Sequence, residues 1–276
     1  MAMRCRVPKV SASGYSSWRK RGQSARARAD VALTTRIVAI HERGCQAYGA
    51  PRVHAELRAL GLACGRKRVA RRVRRAGLVG CRRRRSASTT RRGPAASVAP
   101  DRVERRSVAA APDVVWSADI ACVPTREGSL YLAVVLDGCS RRIVGRAVAG
   151  HLRAELVVRA LEMAAWHRRP ALGAIRHSDR GCRYTSVAFG RRCQDAGVLP
   201  SVGSAGDRND HAVTESFFAT LGCEPPDRHA FCTHALARTA LFAFIEGFYN
   251  TQRRLSAPGY RSPAEFERHV PDEAAV

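Results

Sequence analysis

Positive charge is distributed very unevenly along this chain of 276 residues, and this limits what each part can fold into. Residues 1–112 contain 28 of the 48 Lys and Arg but only 5 of the 23 Asp and Glu, so they carry +23 of the formal charge of +25. Such a segment cannot bury most of its side chains, and its field attracts polyanions. We therefore expect a basic region that binds nucleic acid, followed by an ordinary globular domain. A solvated basic arm is an alternative for Arg82 to Arg106.

The first 80 residues have the pattern of a small helical domain. Apolar residues recur at helical spacing in two stretches that are separated by a break at 61–65: Val53, Leu57 and Leu60, then Val69 and Val73. This predicts a helix-turn-helix over 1–80, with Pro51 in the first turn of one helix. Basic residues crowd the second helix and are its predicted DNA contacts: Arg66, Lys67, Arg68, Arg71, Arg72 and Arg75. A solvent-exposed arginine face is the alternative.

A basic linker over 81–112 is predicted next, because this segment lacks any sustained period. Three apolar runs typical of buried strands follow, VVWSADIACV, LYLAVVLD and RIVGRAVAG, and they predict an antiparallel meander. The full order predicted is βββαβαβα, an α/β core of mixed strands and flanking helices over 113–270, with a tail at 271–276. A further helix is predicted from His234 to Tyr249 through four apolar positions: Leu236, Ala240, Ala243 and Phe244.

Three acids stand in distinctive settings: Asp119 in WSADI, Asp179 in HSDRG and Glu215 in VTESFF. Asp119 lies on the first predicted strand, Asp179 follows a later strand, and Glu215 lies on a helix beside apolar residues. Carboxylates without a cysteine or histidine framework suit Mg²⁺, and two such ions can drive displacement at phosphorus. Each acid alone could instead form a salt bridge or a cap. Comparable carboxylates also occur elsewhere: Asp137, Glu155 and Asp210.

The spacing of the cysteines argues against a zinc site, and the short apolar stretches argue against a membrane span. The ten cysteines form no CxxC pair and no Cys/His cluster at zinc spacing, so no zinc site is expected. No apolar stretch reaches the roughly 18 residues of a membrane span, and the start of the chain has no apolar signal core. A cytoplasmic, nucleoid-associated protein is therefore predicted.

Several phrases together resemble the OrfB-type transposases of the IS-three family of insertion sequences, relatives of retroviral integrases. The matching phrases are YGAPRVHAELRALG, EGSLYLAVVLDGCSRRIVG, HSDRG followed by YTS, ESFFATL, and FIEGFYN with GYRSPAEFE, and the resemblance runs from SASGYSSWRK to SPAEFER. It implies a ribonuclease-H-like core with a catalytic DDE triad at Asp119, Asp179 and Glu215.

The resemblance also implies cofactors and partners. The triad acids would bind Mg²⁺ or Mn²⁺, and the enzyme would cut the terminal inverted repeats of its element and join the freed 3′ ends to target DNA. Further copies of the chain on DNA are expected partners. So is the DNA-binding product of an upstream reading frame, with which the chain could be fused.

Departures from the family pattern motivate one of two alternatives to an active transposase. His211 stands in the run before the glutamate helix, Gly222 stands where many members have a basic residue, Leu255 replaces a histidine, and Pro225 and Pro226 follow the helix early. One alternative is a catalytically decayed remnant that still binds DNA, as a repressor or end-binding protein. The other is a structure-specific nuclease of the same fold, which would cut strands without joining them.

Overall fold

A computed structural model describes residues 11–81, 109–178, 187–202, 212–224 and 231–273. The chain divides into two compact units, Met1–Gly80 and Cys81–Val276. None of the helices in these described ranges is long and apolar enough to cross a membrane.

The described residues of the first unit, from Ser11 onward, form four helices: α1 Ala12–Lys20, α2 Ala25–Arg43, α3 Ala50–Ala59 and α4 Arg66–Arg75. Ser11 and Ser24 begin α1 and α2, because their hydroxyls accept hydrogen bonds from the N–H groups of Gly14 and Ala27. Pro51 lies in the first turn of α3, where its missing N–H leaves no hydrogen bond unmade. The predicted all-helical region with a helix-turn-helix is thus confirmed, with two further helices before it.

A small apolar core holds α2, α3 and α4 together. Its buried side chains recur at helical spacing on each helix: Leu33, Ile37 and Ile40, then Val53 and Leu57, then Val69 and Val73. The prediction that Leu60 shares the apolar face of this helix with Val53 and Leu57 is wrong. Helix α3 ends before Leu60, and the side chain of Leu60 is 51% exposed. Gly44 is required at the end of α2, since a Cβ atom would lie 2.6 Å from Cγ of Tyr48.

The second unit is built on a five-stranded sheet with the order β3-β2-β1-β4-β5. Its strands are β1 Val115–Thr125, β2 Gly128–Asp137, β3 Ile143–Ala149, β4 Ala174–Ser178 and β5 Val198–Val202. The first three strands pair antiparallel, whereas β4 is parallel to both β1 and β5. The predicted meander and mixed sheet are confirmed, and this strand order is that of a ribonuclease-H-like fold.

Helices flank the sheet: α5 Ala154–Arg168, α6 Val187–Asp195 and α7 Ala212–Leu221. With the strands they give the predicted order βββαβαβα. The main core lies between α5, α6 and one face of the sheet, and it includes Trp116 and Ala118 of β1. Gly145 of β3 allows α5 to pack directly on the sheet, because a Cβ atom there would lie 2.1 Å from the carbonyl oxygen of Ala160.

The helix predicted from His234 to Tyr249 consists of two segments, α8 His234–Phe242 and a π-helical segment Ala243–Tyr249. The predicted apolar face is also wrong in part, because Leu236 is 56% exposed and Ala243 is exposed. Phe244 is buried as predicted, but the other buried positions form a different stripe: Ala237, Leu241, Ile245 and Phe248. This stripe is favoured because it carries the larger apolar area.

Polar contacts fasten the C-terminal segments to the sheet. The side chain of Asn250 accepts a hydrogen bond from the N–H of Ile143 (2.9 Å) and donates one to its carbonyl oxygen (3.0 Å). Helix α9, Pro263–Glu273, presents Glu267 to the guanidinium groups of Arg142 and Arg168. Because α9 runs to Glu273, the first residues of the predicted tail at 271–276 are helical.

Candidate active site

Asp119 lies on β1, the central strand of the sheet, and pairs with Val134 of β2. The residues that precede it on the strand are buried, whereas Asp119 itself is half-buried. Its Oδ1 atom accepts a hydrogen bond of 2.7 Å from the N–H of Ile120, which orients the carboxylate. Asp119 therefore lies on a rigid element at the point where β1 leaves the core.

Asp179 lies outside the described residues, but the strand that leads to it is well defined. Ser178, the last residue of β4, pairs with Ala118 of the parallel strand β1. In the sequence, each of these two paired residues is followed directly by an aspartate. Sites in α/β sheets form at the carboxyl ends of parallel strands, and the carboxyl end of β4 lies beside Ala118, the residue that precedes Asp119 on β1.

Glu215 lies in the first turn of α7 and is exposed to solvent. Helix α7 packs against β1, so it carries Glu215 beside the strand that holds Asp119. The face of α7 that is buried consists of Val213, Thr214, Phe217 and Thr220. The apolar residues on its side of the helix are exposed at Ala212 and half-buried at Phe218 and Ala219, so the carboxylate of Glu215 faces solvent.

A buried ion pair fixes the C-terminal end of α7. Arg253 donates hydrogen bonds to both carboxylate oxygens of Glu224, one of them at 2.6 Å, and to the hydroxyl of Thr220 at 3.3 Å. Phe217 packs edge-on against Tyr249 with ring centroids 4.8 Å apart. These contacts lie on the face of α7 opposite to Glu215, so they set the orientation in which the helix presents that carboxylate.

The comparable carboxylates have other roles. Asp137 is buried at the end of β2 and accepts hydrogen bonds from the N–H and hydroxyl of Ser140; its burial raises the pKa of its carboxyl group. Glu155 forms an exposed ion pair with Arg159 one turn along α5. Asp210 lies outside the described residues. Asp137 is thus a turn residue, and Glu155 a surface one.

Donor chemistry at this edge fits a divalent metal ion. Asp119 and Glu215 offer only carboxylate oxygens, which are the ligands that hard divalent cations prefer. Within the described part of the chain, which leaves out Asp179, no group of three or more His, Cys, Asp or Glu side chains could hold a metal ion.

Two of the residues that depart from the family pattern, Gly222 and Leu255, lie within the described ranges. Gly222 follows α7 directly, and its N–H donates to the carbonyl oxygen of Phe218 at 2.8 Å. Leu255 is buried and forms an isolated bridge with Arg261. The remaining departures, His211, Pro225 and Pro226, lie outside the described residues.

The six basic residues predicted to contact DNA fall into two groups on α4. Arg66, Lys67, Arg71 and Arg75 are exposed. Arg68 instead forms an ion pair of 2.6 Å with Asp30 of α2, and Nε of Arg72 donates to the hydroxyl of Thr34 at 2.8 Å. Arg68 and Arg72 therefore attach α4 to α2.

Sequence reasoning missed this attachment and the Glu224–Arg253 pair. Asp30 and Thr34 are one helical turn apart in a stretch that is otherwise basic, which is a recognisable signal. By contrast, Glu224 and Arg253 are 29 positions apart and have no periodic relation.

Comparisons with known proteins agree with this architecture. An integrase core domain matches residues 109–208, and an HTH-like domain matches residues 28–86. The insertion element IS600 uncharacterized 31 kDa protein of Shigella sonnei is 36% identical over 272 residues, covering 98% of this chain and 100% of that protein. The transposase InsF for insertion sequence IS3A of Escherichia coli (strain K12) is 35% identical over 265 residues, covering 95% of this chain and 92% of that protein. This chain belongs to the IS-three family of transposases.

The transposase is accordingly a polynucleotidyl transferase with an integrase core, which acts on DNA. Its backbone can be superposed on that of the simian T-cell lymphotropic virus intasome in complex with the PP2A regulatory subunit B56 gamma, at a TM-score of 0.47 and 12% identity over 84% of this chain and 74% of that chain. For the HTLV-2 integrase catalytic core domain in complex with magnesium (dimeric form), the TM-score is 0.41 with 14% identity over 57% of this chain and 98% of that chain.

Proposed function

We propose that Asp119, Asp179 and Glu215 are the catalytic triad of this transposase and that they bind Mg²⁺, for which Mn²⁺ can substitute. The observation that carries the proposal is the convergence of three elements: β1 and β4 pair at Ala118 and Ser178, and α7 packs against β1. With this site the enzyme cuts the terminal inverted repeats of its element and joins the freed 3′ ends to target DNA.

The chain contributes oriented carboxylates to this reaction. Divalent metal ions held by Asp119, Asp179 and Glu215 would supply activation of a water or a 3′ hydroxyl and stabilisation of the leaving oxygen. Asp119 is held by strand pairing and by the N–H of Ile120, so it supplies the fixed ligand. Glu215 approaches from the first turn of α7, where the helix dipole stabilises its negative charge. No covalent intermediate with the protein is needed.

Binding of the element ends is the proposed role of the first unit. Arg66, Lys67, Arg71 and Arg75 are exposed on α4 and can reach phosphates or base edges. Arg68 and Arg72, also predicted as DNA contacts from the sequence, support this surface through α2. The basic linker over 81–112 is proposed to lie along the same DNA.

Two protein partners follow from the family resemblance. Further copies of the transposase would assemble on DNA, because both element ends must be held during joining. The product of an upstream reading frame would add DNA-binding capacity as a fusion or an associated chain.

A strand-transfer assay with the element's terminal-repeat duplex and Mg²⁺ tests the triad. Asp119→Asn, Asp179→Asn and Glu215→Gln should each reduce joining at least about 100-fold, because loss of an outer partner of a metal ligand already costs about 10- to 100-fold. Glu155→Gln is the matched control, since Glu155 is an exposed acid on α5 outside the site. This control should join ends at the rate of the unaltered chain.

Two results would contradict the proposal. Undiminished joining by Asp119→Asn would show that the site is assigned to the wrong residues. Cut but unjoined strands from the unaltered chain, with correct ends and target supplied, would identify a nuclease instead of a transferase.

A further inference from the structure

Helix α1, Ala12–Lys20, has no part in the functions proposed above. All nine of its residues are described, and none of them is buried. Tyr15 and Trp18 lie one helical turn apart, with ring centroids separated by 5.9 Å and ring planes inclined at 35°. Trp18 is 67% exposed, so packing within the first unit does not account for this large apolar ring.

The chemistry around the two rings is that of a polyanion site. Every charged side chain from residue 11 to residue 29 is basic, and all of these side chains are exposed: Arg19, Lys20, Arg21, Arg26 and Arg28. Serines make up much of the rest of α1 and can donate hydrogen bonds to phosphate oxygens. Exposed aromatic rings beside basic side chains are the combination that single-strand-binding proteins use.

A protein partner fits this surface less well. A helix of this length extends about 13.5 Å, and Tyr15 and Trp18 are its two large apolar side chains. A standard protein interface buries about 800 Å² on each partner and has an apolar centre. The serine-rich and basic surroundings of the two rings do not supply such a centre.

Stacking on a base requires a base whose face is accessible. In a B-form duplex the faces of the bases lie against one another, so a ring on a protein surface cannot reach them. Single strands and frayed ends expose these faces, and every base has one, which makes stacking independent of sequence. The features of α1 therefore favour unpaired DNA over duplex DNA.

We propose that α1 binds unpaired DNA, with Trp18 stacked on a base, Tyr15 supporting Trp18, and the basic side chains of residues 19–28 on the neighbouring phosphates. The proposal deepens the DNA-binding function proposed above and rests on it only for the class of ligand. An enzyme that cuts and joins strand ends produces unpaired nucleotides next to each cut, and α1 would hold them.

Tryptophan fluorescence of the full chain tests the stacking directly. Trp116 is fully buried and Trp166 is 74% exposed, so in a Trp166→Phe background the emission change on binding reports Trp18. The probe is an oligothymidylate of about 12 nucleotides, within the usual site size of single-strand binders. We expect quenching with this oligonucleotide and little change with a blunt duplex at the same phosphate concentration.

Affinity measurements give a second readout. Trp18→Ala should weaken oligothymidylate binding about 5- to 150-fold, the usual range for loss of one stacked base, and leave duplex affinity unchanged. Trp18→Phe should retain most of the affinity. Trp166→Ala is the matched control and should change neither affinity. Because α1 buries no side chain, Trp18→Ala should also keep the unfolding midpoint of the unaltered chain.

Three outcomes would overturn the proposal. The first is equal oligothymidylate affinity for Trp18→Ala and the unaltered chain. The second is constant Trp18 emission while the oligonucleotide binds. The third is loss of self-association by Trp18→Ala in sedimentation with DNA affinity intact, which would assign α1 to protein contacts. Undiminished strand transfer by the triad variants would overturn the triad proposal but leave these binding results untouched, so the two proposals fail separately.

Discussion

Asp30 of α2 interacts with two arginines of α4 and partly neutralises their charge. Its carboxylate forms an ion pair of 2.6 Å with Arg68 and lies 3.8 Å from Nη1 of Arg72. These cations are therefore partly neutralised within the first unit, whereas Arg71 and Arg75 are exposed. A count of arginines in the sequence overstates the charge that α4 can offer to DNA.

Asp30 should make the stability of the first unit depend on pH. The hydrogen bond from Arg68 holds the pKa of the Asp30 carboxyl below its ordinary value of 3.8. The stabilisation is therefore complete above that value and is lost as the pH falls through the lowered pKa. Asp30→Asn should reduce the thermal midpoint by a few degrees at pH 7, and the difference from the unaltered chain should shrink in acid.

Thermal unfolding followed by circular dichroism at pH 7 and near pH 3 measures this difference. Asp195→Asn is the matched control, because Asp195 is an exposed acid that lies 3.6 Å from Arg192 on α6. A deficit of Asp30→Asn that is equally large at both pH values would rule out the ion pair as its cause.

At the scale of elements, α7 depends on a charge pair that is almost completely buried. The side chains of Arg253 and Glu224 are only 1% and 5% exposed. Arg253→Met alone should destabilise the chain by about 3–5 kcal/mol, because it removes the cation that balances the buried charge of Glu224. The double variant with Glu224→Gln should lose less than the sum of the two single changes.

Denaturant unfolding of the single and double variants measures this coupling. The exposed pair of Glu155 and Arg159 offers a comparison on α5, and Arg159→Met should cost less than about 1 kcal/mol. Additive losses from Arg253→Met and Glu224→Gln would mean that the pair does not fix α7 as a unit.

The contact between α5 and β3 gives another prediction at this scale. Gly145→Ala would place a Cβ atom 2.1 Å from the carbonyl oxygen of Ala160, so α5 must shift, at a cost of about 1–3 kcal/mol or more. Gly190→Ala is the matched control, because nothing lies within 4 Å of a Cβ atom there on α6. It should stabilise the chain by about 0.4–1 kcal/mol. Equal unfolding midpoints for the two variants would contradict this close packing.

For the whole molecule, the concentration of charge before residue 113 should dominate DNA affinity. Each neutralised phosphate contributes about −0.9 to the slope of log affinity against log salt on duplex DNA. Arg71→Gln and Arg75→Gln should each make the slope shallower by about that amount if each contacts one phosphate.

Arg68→Gln should lower stability more than it changes the slope, because Arg68 binds Asp30. Binding titrations at several salt concentrations measure the slopes, and an unaltered slope in the Arg71→Gln, Arg75→Gln double variant would exclude α4 as the duplex contact.

How much the sequence reveals depends on the range of the interactions. Strands β1 to β3 and helix α6 are predictable, because buried runs and helical periodicity are local signals. The stripe through Leu236 and Ala240 is not, because two overlapping periods compete and tertiary packing selects the one through Ala237 and Leu241. Among the acids, the apolar residues around Asp119 correctly predict that it lies on a strand. The exposure of Glu215 depends on the partners of α7, which come from distant segments.

The π-helical segment has a consequence for insertions and deletions. Its wider turn puts Phe248 and Tyr249 in the interior and still directs Asn250 to both backbone groups of Ile143. Removing one residue would restore an ordinary α-helical repeat but rotate everything after it by about 100°. Asn250 would then miss the edge strand and Arg253 would miss Glu224, so the irregular winding here keeps the segment that follows residue 249 in phase with the rest of the second unit.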